Sequence, residues 1–139
     1  MAEASTLERL AGLALFADLS RAELEAVVHS FEDEVFEPGR RVLRHGIGGG
    51  SVYVILDGEA VVLIDGAEVR TLGRGEAFGE ISALTGDRPS ADVVARTVLR
   101  CFVIPAATLQ EFLLEHPTVM LRLLKSVVRR LQTSGSWRD

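Results

Sequence analysis

Leucines three apart, at positions 7 and 10, mark a short helical stretch from Thr6 to Gly12. A second helix is predicted to open at Ser20-Arg21-Ala22-Glu23, where serine and glutamate can satisfy each other's backbone N–H groups, and to run to about Ser30. From Phe31 the period shortens. Glu32 to Phe36, Val42-Leu43, Ser51 to Leu56, Ala60 to Ile64, Glu68 to Leu72, Val93-Val94 and Val98 to Ile104 form short β-rich runs. Turns at Glu37-Pro38-Gly39-Arg40, Gly46 to Gly50 and Gly73-Arg74-Gly75 separate them. Asp57-Gly58 and Asp65-Gly66 each read as the two-residue loop of a hairpin, which predicts a meander of Val52–Leu56, Ala60–Ile64 and Glu68–Leu72. Seven or eight such strands broken by turns predict a jelly roll or barrel.

Helical spacing returns in the last third. Ala106 to Glu115 carries Leu109, Phe112 and Leu113, and Pro117 suits the first turn of a final helix that runs to about Gln132. On that helix Val119, Met120, Leu123, Leu124, Val127, Val128 and Leu131 cover more than one narrow stripe. One side is expected against the barrel, and the other against a second copy or a partner protein; the alternative is a helix packed only on its own domain. Thr133 to Ser136 reads as a fraying end.

Composition narrows the function classes. A chain of 139 residues suits one domain with a real core, 1–139. The net charge of -5 offers no basic field to a polyanion, so direct nucleic-acid binding is not expected. No apolar run approaches the roughly 20 residues of a spanning helix, and no basic start marks a secretory signal. The single cysteine, Cys101, sits in Leu99-Arg100-Cys101-Phe102-Val103-Ile104 and reads as a buried, inert thiol, in keeping with a reducing cytoplasm. His29, His45 and His116 fall in helix, loop and helix-junction contexts far apart, without metal-ligand spacing, and there is no nucleophile elbow or triphosphate loop. Neither catalysis, a resident cofactor nor a metal is expected.

The chemistry concentrates in Phe78-Gly79-Glu80-Ile81-Ser82-Ala83-Leu84-Thr85-Gly86-Asp87-Arg88-Pro89-Ser90-Ala91. Burying a phosphate monoanion requires donors that replace its water. A glycine lets backbone approach closely, a short helix turns free N–H groups toward the anion, and a guanidinium adds a charged fork. Gly79 followed by Glu80 to Leu84 fits the first two, and Arg88 is the nearby guanidinium. Glu80 offers an acceptor to a sugar hydroxyl. Each residue also has a plainer role: Glu80 as a favourable acid at a helix start, Arg88 as a solvated turn residue beside Asp87, Ser82 and Ser90 as local hydrogen-bonders.

Phe78-Gly79-Glu80, Gly73 and Gly75, Tyr53-Val54-Ile55-Leu56-Asp57-Gly58 and Phe36-Glu37-Pro38-Gly39 together resemble the cyclic nucleotide-binding domain family of catabolite activator-type bacterial regulators and cyclic-AMP-dependent kinase regulatory subunits. The resemblance covers about Leu15 to Leu131. It implies a mainly β fold, an eight-stranded β-roll or jelly roll (a double-stranded β-helix) over about 31–105, with N-terminal helices over about 6–30 and two C-terminal helices over about 106–132. It also implies a phosphate-binding cassette at 78–95, with Glu80 on the ribose and backbone at Gly79, Ile81 and Ser82 on phosphate and sugar. Counted without gaps, the family's arginine position is Pro89, followed by Ser90 and Ala91, and Arg88 stands one residue early. Asp92 places an acid near the expected anion, and the loop His45 to Gly50 lacks the usual Asp. Cyclic AMP or cyclic GMP is the expected regulatory ligand, signalling through the C-terminal helices. The other reading is a roll that has lost its ligand and serves as an interaction or dimerisation module. No helix-turn-helix is expected after the last helix.

Overall fold

The computed structural model describes residues 9, 12–13, 16–17, 19–44, 46, 50–86, 89 and 91–133. Most of the expected helix at Thr6 to Gly12, and the fraying end beyond Thr133, lie outside them. Helix α1, Arg21–Ser30, begins as its sequence dictates: the Glu23 N–H donates to Ser20 Oγ at 3.1 Å and the Ser20 N–H donates to Glu23 Oε1 at 3.0 Å. Eight strands follow: β1 Glu32–Phe36, β2 Arg41–Leu43, β3 Ser51–Asp57, β4 Ala60–Ile64, β5 Ala67–Leu72, β6 Ala77–Phe78, β7 Asp92–Ala95 and β8 Leu99–Pro105. Helix α2, Glu80–Thr85, sits between β6 and β7, and α3, Ala106–Glu115, and α4, Pro117–Thr133, close the described chain. Two antiparallel four-stranded sheets form the roll, ordered β1-β8-β3-β6 and β2-β7-β4-β5.

This order corrects the predicted meander at one of its two turns. Asp65 and Gly66 do form a hairpin turn: both have positive φ, 52° and 81°, as a type I′ turn requires, and Ile64 pairs with Ala67. Asp57-Gly58 does not. β3 pairs with β6 and β8, whereas β4 pairs with β5 and β7, so the chain changes sheets between them. The return crossing at 96–98 lies alongside. The Glu59 N–H donates to Thr97 Oγ1 at 3.0 Å, and the Glu59 carbonyl accepts from the Arg96 N–H at 2.9 Å. A Cβ on Gly58 would stand 2.2 Å from the Val98 carbonyl oxygen, so glycine is demanded here by the neighbouring crossing.

Sheet β1-β8-β3-β6 is covered on both faces, which explains why β3 and β8 read as continuous apolar runs. Val52, Val54, Leu56, Phe102 and Ile104 pack toward the helices with Val27, Phe31, Leu109, Phe112 and Val119. Ile55, Leu99, Cys101 and Val103 point the other way, into the roll, with Phe36, Ala60, Leu72, Phe78, Val93 and Ala95. Phe31 joins the two layers of helix to the sheet, edge-on to Phe102 at 5.5 Å and to Phe112 at 4.6 Å.

Cys101 is fully buried in the roll, as its sequence context predicted. Burial pushes its thiol up to about 12, with Glu34 and Asp33 adding to the effect. The thiol will therefore stay unreactive toward a disulfide reagent at pH 8 in the native protein and react at once in denaturant. Rapid native labelling would show that the roll opens on that timescale.

Candidate functional site

The site is assembled where β6 runs into α2. Tyr53 on β3 and Phe78 on β6 are cross-strand partners whose rings stack at 4.9 Å and 8°. Phe36 meets Tyr53 at 6.1 Å, and the Arg40 guanidinium lies 5.9 Å above the Phe36 ring. Burial raises the Tyr53 hydroxyl above its ordinary value, and the charge of Glu34 raises it further. This aromatic wall fixes the residue that follows it.

That residue is Gly79. Its φ is +86°, and a Cβ there would stand 2.4 Å from the Ser51 carbonyl oxygen. Any other residue would be strained and would collide with β3. The chain then enters α2, whose first turn is closed by the Ala83 N–H donating to the Gly79 carbonyl at 3.0 Å. A helix's first N–H groups have no partners within the helix, so this start presents donors of the kind an anion needs. The backbone of Glu80, Ile81 and Ser82 forms that turn; their side chains lie outside the described residues, as do Asp87, Arg88 and Ser90 entirely.

Pro89 is buried, and its carbonyl accepts from the Gly46 N–H at 2.9 Å, tying the end of the cassette to the loop before β3. Ala91 is half-buried where β7 begins. Asp92 opens β7. Val93 and Ala95 belong to the roll interior, so strand alternation turns Asp92 and Val94 to the opposite face. The acid expected beside the anion thus points away from the interior.

One charged residue that the sequence reading passed over, Arg70, is exposed on the same side of β5 as the buried Leu72. Arg70 pairs across β5–β4 with Val62, which packs on the roll interior, and two positions further on Leu72 is buried there. Its guanidinium is ion-paired with Glu76 Oε2 at 3.2 Å, and Glu76 Oε1 accepts from the Gly73 N–H at 3.1 Å. The signal was present in the phase of β5: Arg70 shares the parity of Leu72.

Among the described residues no group of His, Cys, Asp and Glu side chains is arranged to hold a metal ion, and no helix is long and apolar enough to cross a membrane.

A two-sheet roll with a short helix inserted between β6 and β7, entered through a glycine at positive φ, defines a recognisable class of ligand-binding domain. Residues 33–116 match the cyclic nucleotide-binding domain family, and the chain belongs to it. Its relatives include the potassium/sodium hyperpolarization-activated cyclic nucleotide-gated channel 2 of Mus musculus, 34% identical over 127 residues, which make up 91% of this chain and 15% of the channel. Among solved structures, a Trypanosoma brucei regulatory subunit of a cAMP-independent protein kinase A, a triple mutant bound to cAMP in the A site, superposes with a TM-score of 0.77. It is 26% identical, over 89% of this chain and 46% of that one. The Thermus thermophilus catabolite activator protein superposes with a TM-score of 0.76 at 25% identity, over 87% of this chain and 59% of that one.

Proposed function

We propose that this domain binds a cyclic nucleotide, cyclic AMP in the first instance, at the cassette and signals through α3 and α4 to a partner or a second copy. The carrying observation is Gly79: its positive φ and its approach to Ser51 fix where β6 gives way to α2, the turn whose free N–H groups would meet the phosphate. In this reading backbone at Gly79, Ile81 and Ser82 holds phosphate and sugar, and the Glu80 carboxylate accepts from the ribose hydroxyl. Arg88 takes the phosphate by a one-residue slip, with Pro89, Ser90 and Ala91 shaping the segment around it. The trypanosome neighbour, a regulatory subunit of a cAMP-independent protein kinase A, is bound to cAMP in its A site as a triple mutant, which supports cyclic AMP as the nucleotide to test first.

Arg88 carries the largest share of the energy. Removing one member of a buried ion pair costs about 3–5 kcal/mol, whereas a helix N-terminus returns only about 0.3–2 kcal/mol to an anion. In titration calorimetry with cyclic AMP and cyclic GMP, Arg88→Ala is expected to weaken binding about a hundredfold or more. Glu80→Ala is expected to weaken it about tenfold. Unchanged affinity in the Arg88 variant rejects the slip. No heat from either nucleotide at high micromolar concentration favours the second reading, a roll without ligand, to which buried Pro89 at the family's arginine position lends weight.

A further inference from the structure

Helix α4 uses only part of its apolar surface. Val119 and Leu123 are buried against the domain, 3% and 6% exposed. Around the helix from them, Met120, Leu121, Leu124 and Val128 stand in solvent, at 39%, 51%, 57% and 44% exposure, and Leu114 of α3 is 67% exposed. Leu121, Leu124 and Val128 are spaced three and four apart, the repeat by which one helix seats another. Isolated exposed leucines need no explanation, but a continuous seam along one helix marks a contact surface.

The charges on the same helix identify the occupant. Every ionisable residue of Pro117–Thr133 is cationic: Arg122, Lys125, Arg129 and Arg130. Lys125 and Arg129 are exposed and one turn apart, along one flank of the seam. This concentration stands out in a chain whose net charge is -5. A second α4 would set the Lys125 and Arg129 flank against a helix that carries no carboxylate. A helix with aliphatic residues at three-four spacing and Asp or Glu beside them would cover the seam and pair the flank.

We infer that the exposed seam of α4 is a docking site for an acidic amphipathic helix of another protein. This deepens the output half of the proposed function, and it is tested without nucleotide, so that failure of the ligand reading leaves it standing. Two labelled helical peptides serve as probes, identical in their three-four leucines and flanked by glutamates in one and lysines in the other. Fluorescence anisotropy is expected to show the glutamate peptide binding at least about tenfold more tightly, with affinity falling as salt rises. Lys125→Glu with Arg129→Glu should reverse the preference. Leu121→Ser with Leu124→Ser should abolish binding of both peptides while leaving the thermal unfolding curve in place, because these side chains are exposed. Equal affinity for the two peptides, or binding of neither, overturns the inference. So does a dimer in sedimentation equilibrium that Leu124→Ser dissociates, since a second copy then occupies the seam.

Discussion

Gly79→Ala is expected to destabilise the domain by at least about 2 kcal/mol and to abolish any nucleotide binding. Two costs combine at this position. At φ +86° a Cβ is strained in its own backbone, and it would also lie 2.4 Å from the Ser51 carbonyl oxygen, an atom fixed within a paired strand. Neither the strand nor the stacked Tyr53 and Phe78 rings can yield without opening β3–β6. Gly86 supplies the control. Its φ is +79°, but a Cβ there would meet nothing within 4 Å, so Gly86→Ala should show the backbone cost alone, about 1–2 kcal/mol. Urea unfolding midpoints of the two variants separate strain from collision. If they fall equally, the close approach of Gly79 to β3 contributes nothing, and the positioning of α2 rests on something else.

The second large effect is expected at Phe102, where alanine should cost about 3–5 kcal/mol and lower the melting temperature by on the order of 10 °C. Phe102 is 1% exposed on the helix-facing side of β8, and its ring meets Phe31, which in turn meets Phe112 of α3. Few positions connect the roll to the helices on both sides of it so directly. The cavity left by the ring would be lined by a sheet and two helices that cannot all close on it. Calorimetric unfolding checks the magnitude. A loss below about 1 kcal/mol would mean that the helices are not part of the cooperative core, and a signal could not pass between them and the roll by packing.

Much of the candidate site was legible because its demands are local. A glycine followed by a short helical run, an acid at the helix start and a capping serine at α1 are each a matter of a few adjacent residues, and the structure forms them where they are written. The facing of Asp92 was not legible. Nothing in Ser90-Ala91-Asp92-Val93-Val94 says which parity turns inward; pairing of β7 with β4 sets it, through Leu63 and Val62 some thirty positions earlier in the chain. Arg70 was missed for the same reason. Its alternation was visible, but the inward side of an edge strand becomes known only once Val62 is seen across from it.

Sequence by itself determined the inventory: short strands with their turns, two capped or proline-started helices, a cysteine too apolar in context to be reactive, and the glycine on which the cassette pivots. Tertiary structure decided the rest. It made Asp57-Gly58 a crossing between sheets, because the partners of β3 are the distant β8 and β6, and a turn dipeptide cannot specify partners so far along the chain. It also divided the wide apolar surface of α4 into a buried face at Val119 and Leu123 and a free seam at Leu121, Leu124 and Val128. Periodicity fixes the angle between the faces of a helix, but only the neighbour that arrives in the fold determines which face is covered.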